Sequence, residues 1–224
     1  MGTELGRMYQ VRKRTGSSPR ACVERGQYPA GMCRFAHFRL AILVISLGIA
    51  GCSSTPSPSF DPTGTCIVDG QVQGAYPDLE ARIPSTLLGA KPTKVDSGRH
   101  CSTAALGSLA ASGIKEIRFA GGTWSFGAER SAALAVFTAP GLTADDMAEF
   151  YLAGASAATR TQLLAGTAVT LAGRPGHRLD TQTGERLQTV EVWPSMTADM
   201  VNVVITNDLP DARIADAVAA FGGQ

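Results

Sequence analysis

Few side chains in this chain could do chemistry. They are five cysteines, three histidines and the adjacent carboxylates Asp145 and Asp146. Cys101 follows His100, which suggests a thiol with its own base, but neighbours on a turn do not hold attack geometry, and a sulfur in a bridge cannot attack. His177 could act as a general base oriented by Asp180. Residues three apart on a strand point to opposite faces, so His177 reads as a surface or loop histidine. Asp145 and Asp146 could form a metal pair or an acid/base couple. They also follow Thr143 at the spacing of a helix start, where carboxylates are favoured by the free N–H groups and the positive end of the helix. Capping accounts for both.

Other chemistries need patterns that are missing. No Gly-rich turn leads through Lys-Ser/Thr into a helix, and no Gly-x-Ser-x-Gly elbow is present. Beyond Cys52 only His100 and His177 remain, with no Cys-x-x-Cys, so zinc ligation is not expected. The expectation is therefore no catalytic residue, no metal and no cofactor. Trp124 follows a Gly-Gly break, Trp193 ends a strand before a Pro turn, and Tyr151 lies on a helix face. Such aromatics can line an apolar ligand pocket or close the edge of a core, and the core is favoured.

The remaining cysteine with a chemical prospect is Cys52. Arg34 and Arg39 precede the apolar run Leu40–Ile49, which is followed by small residues and Cys52. A positive segment, a short apolar segment and a small-residue cleavage site make an export signal. The run is about half the ~20 residues a membrane-spanning helix needs. Ile49-Ala50-Gly51-Cys52 resembles the lipobox that ends the signal of bacterial lipoproteins. The resemblance implies that Cys52 is alkylated by diacylglycerol on sulfur, becomes the mature N-terminus, and carries the protein on the outer side of a cell membrane. A thiolate is the nucleophile that thioether formation needs, and two or three acyl chains hold far better than one.

Residues 1–31 read as a basic, disordered leader carrying Arg7, Arg12, Lys13, Arg14, Arg20 and Arg25. Met32 is the more typical start, so the leader reads as a start placed too early; a basic arm for nucleic acid or anionic lipid is the alternative. Residues 32–51 form the signal and 52–65 a Ser/Pro/Thr tether too poor in apolar residues to pack. Residues 66–224 form a single domain, long enough for a real core.

Charge divides at the same place. The whole chain has 20 Lys+Arg and 19 Asp+Glu. Eight basic and two acidic residues precede Cys52, which leaves 12 basic and 17 acidic after it, or about −5. An acidic domain argues against binding a phosphate backbone, which needs clustered Lys and Arg. With Cys22 and Cys33 lost with the leader and Cys52 carrying lipid, Cys66 and Cys101 are left as a lone pair in a compartment where disulfides persist. A bridge between them is expected.

Periodicity places the elements. Tyr76–Lys94 reads as loop or short edge segments broken by Pro77, Pro84 and Pro92. Ser102–Ala111 reads as a short helix with Leu106 and Leu109 inward and Gly113 as its C-cap. Glu116–Ala120 alternates as a strand with Ile117 and Phe119 inward, which Gly121-Gly122 would end or bulge. Ala132–Thr138 is apolar on both faces and therefore central. A helix starts at Thr143, with Met147, Phe150, Tyr151 and Gly154 as its buried stripe. Strands follow at Thr167–Leu171, Gly176–Thr181, Leu187–Trp193 and Met200–Thr206, with Gln182–Gly184 as a turn. The last two form a hairpin with one buried side. Asp211 caps a final helix in which Ile214, Val218 and Phe221 align, stopped by Gly222-Gly223.

Strands grouped in meanders rather than alternating with helices give an α+β class, a mainly antiparallel sheet packed with about three helices. This order resembles the PsbP-like fold of photosystem extrinsic proteins and some lipoproteins; ferredoxin-like and cystatin-like sheets are the alternatives. The PsbP-like resemblance implies a non-enzymatic binding or assembly factor. The expected function is a membrane-anchored, non-enzymatic binding or accessory module of the bacterial envelope. Its partners would be the membrane, through lipid, and an envelope protein or small apolar ligand, with no nucleic acid. The alternatives are a carrier of an apolar ligand, or an envelope hydrolase or transferase without a recognisable motif.

Overall fold

A computed structural model describes residues 59–222. The leader 1–31, the signal 32–51, Cys52, most of the tether and Gly223 lie outside the described residues. The class is α+β, and the sheet is larger than the sequence suggests. Its eight strands are β1 (Gly70–Val72), β2 (Lys94–His100), β3 (Ile117–Ser125), β4 (Ser131–Thr138), β5 (Thr161–Leu171), β6 (Arg174–Thr183), β7 (Arg186–Pro194) and β8 (Met200–Asn207). Every pair is antiparallel, in the order β1-β2-β3-β4-β8-β7-β6-β5. Two four-strand meanders thus join where β4 pairs with β8.

Two helices are long: α4 (Ala144–Ala157) and α5 (Asp211–Gly222). Three are single turns: α1 (Pro77–Glu80), α2 (Thr103–Leu106) and α3 (Ser108–Ala111). One face of the sheet is covered by α1 and α5, through Tyr76, Leu79, Val218 and Phe221 packed on Leu134, Val136, Trp193 and Val204. The other is covered by α2, α3 and α4, through Leu106, Leu109 and Met147 packed on Ile117, Val190, Val192 and Val203.

The strongest local signals hold. The Thr143 hydroxyl accepts from Asp146 N, and the Asp146 carboxylate accepts in return from Thr143 N, a complete capping box at α4. After α3, Ile114 N donates to Leu109 O and Gly113 N to Ala110 O, with Gly113 at φ 90. That is the reciprocal C-terminal closure for which a glycine is suited. Central β4 is buried on the face of Ala132, Leu134 and Val136 and half-buried on that of Ala133, Ala135 and Phe137, in keeping with its unbroken apolar run.

Several expectations need correction. β2 begins at Lys94, the last residue of the stretch expected as loop, and runs through residues to which periodicity assigns no element. Its sequence, Lys-Val-Asp-Ser-Gly-Arg-His, has no apolar alternation because its buried residues Ser97 and Arg99 are polar. Buried Ser97 accepts from Tyr76 N and donates to Glu80, and buried Arg99 donates to Asp61 O and Gly64 O. Gly121 and Gly122 do not end β3. Gly122 sits within it because a Cβ there would stand 2.6 Å from Ile83 and 2.7 Å from the Trp124 ring.

The β7–β8 hairpin is buried on both sides, since helices cover both faces of the sheet. The turn after β6 falls at Gly184-Glu185. Asp211 is the first residue of α5 and binds Arg178 at 2.8 Å; the N–H groups of Arg213 and Ile214 donate to Pro210 O.

Candidate functional site

The cysteine pair comes together as expected, with Cys66 and Cys101 bridged at a Cα–Cα separation of 6.1 Å. The bridge ties the chain entering the domain to the end of β2. Asp69 braces the same corner, accepting from Cys101 N at 2.6 Å, from Ser102 N at 2.9 Å and from the Ser102 hydroxyl. Burial works against its charge, but these hydrogen bonds prevail and lower its pKa. Cys66, Asp69 and Cys101 are close enough to hold an ion, yet both sulfurs are committed to each other. Nearby, the buried Arg99 guanidinium lies over the Phe60 ring, 5.9 Å from its centre.

The aromatic trio is divided. Trp124 is 1% exposed and donates its indole N–H to Ala90 O at 3.2 Å. Trp193 is 1% exposed and meets Phe221 edge-on, with ring centres 6.0 Å apart. Both rings are consumed by the core beneath α1 and α5, which corrects their candidacy as ligand-binding residues. Tyr151 is on the opposite face of the sheet and alone of the three lines a cavity.

That cavity is an open groove of about 720 Å³ under the second half of α4. Its origin is a failure of the predicted stripe to close. Met147 is buried, but Phe150 and Tyr151 are only half-buried and Gly154 is exposed. Small residues from Ala153 to Ala158 leave nothing to fill the space between helix and sheet. The wall is apolar where Phe150, Tyr151, Leu179 and Val190 face one another.

Most polar groups at the far end are already engaged. Gln188 donates to Asn207 at 3.2 Å, Asn207 donates to Ser131 at 3.0 Å, and the Thr161 and Thr183 hydroxyls share a hydrogen bond of 2.7 Å. Arg186 is paired with Glu129 and Asp208. At the near end, the Ser108 hydroxyl is buried and has no partner. Burial alone raises the Tyr151 phenol pKa, so the group stays neutral at physiological pH.

Two charged clusters lie elsewhere. His177 Nε2 sits 2.6 Å from Asp145 rather than near Asp180. The structure thus supplies a carboxylate partner for His177 from the start of α4, which strand alternation alone could not identify. Asp180 instead binds Arg178, which also pairs with Asp211 and approaches buried Glu191 at 3.8 Å. Burial disfavours the Arg178 charge, but its bonds to Asp180 and Asp211 prevail and raise its pKa. Burial raises the Glu191 pKa, against the pull of Arg178. The Thr189 hydroxyl joins the second cluster, donating to Asp180 at 2.6 Å.

Compared with known proteins, the chain matches no family model and no curated protein. No helix among the described residues is long and apolar enough to cross a membrane.

Proposed function

We propose that this protein is a lipid-anchored, non-enzymatic binding module on the extracytoplasmic face of a bacterial cell membrane, and that it takes an apolar ligand into the groove beneath α4. The observation that carries the binding half is the groove itself. It has the size of a small-molecule site and an apolar wall that carries the Tyr151 phenol. A neutral phenol suits a ligand whose polar group is uncharged or protonated. The anchoring half rests on Ile49-Ala50-Gly51-Cys52, and the Cys66–Cys101 bridge suits an oxidising compartment. The PsbP-like resemblance in element order agrees with a binding role.

A photoactivatable C16 fatty acid added to envelope membranes carrying the full chain tests the groove. Label is expected on α4 between Phe150 and Ala158 and on the facing part of β6. A Gly154→Trp variant places an indole in open space, where no atom stands within 4 Å of the new Cβ. It should abolish that labelling without lowering the melting temperature. Labelling that ignores Gly154→Trp, or that falls on surface residues at random, would end the reading. The intact mass of protein purified from cells tests the anchor, since the mature chain should begin at Cys52 and carry two or three acyl chains.

A further inference from the structure

The two edges of the sheet differ sharply. β1 is three residues long, and Phe60 packs against its Gly70. β5 is eleven residues long, Thr-Gln-Leu-Leu-Ala-Gly-Thr-Ala-Val-Thr-Leu, and among the described residues pairs only with β6. An open edge offers a row of unpaired N–H and C=O groups, and proteins blunt such edges with charges, prolines, short strands or cover. β5 contains no charged residue and no proline. Most of its side chains are exposed, and Leu163 and Leu164 are 42% and 47% exposed. Leu152 on α4, which packs on β5, and Leu187 on nearby β7 are exposed as well.

We propose that the β5 edge is a homodimer interface, in which two copies of this chain pair β5 with β5 antiparallel and continue the sheet across a two-fold axis. A second copy is the occupant the strand itself selects. The domain is acidic overall, so two copies repel across most of their surfaces, and the uncharged β5 edge is where they can meet without like charges in contact. An identical strand meets no like charge in any register. One register fits best. The ladder shifts between Leu163 and Ala165, so the uninterrupted part is Ala165–Leu171.

Antiparallel pairing of that part about Ala168 sets Ala165 against Leu171 and Gly166 against Thr170. A two-fold axis through the pair makes the contact isologous and closed, so it yields a dimer rather than a fibre. The interface depends neither on the lipid anchor nor on the groove.

Sedimentation velocity of the full chain in mild detergent, read beside amide exchange of 161–171 at rising concentration, tests it. The expected result is a dimer whose outward β5 amides slow as it forms. Ala168→Lys sets two like charges face to face and should weaken association at least tenfold with an unchanged melting temperature. Val72→Lys makes the same charge change at the other edge and should leave association intact. A wild-type monomer at tens of micromolar, a dimer that survives Ala168→Lys, or β5 amides insensitive to concentration each overturns the proposal. If Ala168→Lys fails to fold, the concentration dependence of the wild-type β5 amides decides alone.

Discussion

Single residues carry most of what can be tested quickly. The Cys66–Cys101 bridge closes a loop with a sequence separation of 35. In the chain-entropy account that constrains the unfolded state by about 3–4 kcal/mol. Cys101→Ser should therefore lower stability by about that amount in chemical denaturation. Glu191 makes a prediction of the opposite sign. Burial raises its folded pKa above the unfolded value, so its contribution is full below the unfolded pKa and is lost as pH rises through the folded one. Glu191→Gln should raise the melting temperature at neutral pH and leave it unchanged in acid. Asp69 and Asp146 have lowered pKa values, so their contributions persist above the unfolded pKa and fade as pH falls. Acid titration of stability in Asp146→Asn should be flatter than in the wild type.

At the scale of elements, the legible pieces were those with local causes. The capping box at Thr143 is written in residues three apart, and it starts α4 where expected. Thr143→Ala removes one cap bond and should cost about 1 kcal/mol. Gly122 is the counterexample. In the sequence a Gly-Gly pair signals a break, whereas in the fold it is the flat spot that lets Trp124 and Ile83 lie across β3. Gly122→Ala should cost about 1–3 kcal/mol through overpacking, measured as a lowered denaturation midpoint. β2 escaped full notice for a related reason. A strand is recognised by apolar alternation, and its inward Ser97 and Arg99 bury polar atoms whose partners are in Tyr76, Glu80, Asp61 and Gly64, far along the chain.

For the whole molecule, the joining of two meanders at β4 and β8 has two consequences. It covers both faces of the central strands, and it leaves β5 at a far edge with β6 as its one strand neighbour among the described residues. The groove follows from the same layout, because α4 must cross from β4 to β5 over the sheet and runs out of large side chains before it arrives. Groove and edge are therefore neighbours by construction, and Thr161 borders both. On the proposed anchoring at Cys52, Cys52→Ser should lose acyl label in cells and keep the melting temperature of the full chain.

From the amino-acid sequence alone came the α+β class, the Thr143 cap of α4, the Gly113 closure after α3, the central β4 strand, the β7–β8 hairpin and the pairing of two particular cysteines. These follow from periodicity, from neighbours within one turn, or from elimination among a few residues. Tertiary structure decided the rest: eight strands in place of six, Asp145 rather than Asp180 beside His177, the tryptophans in the core, and Tyr151 at an open groove. Each of those depends on segments far apart in sequence meeting in space, and on volumes that fill or fail to fill when they do. Local propensity contains no record of either.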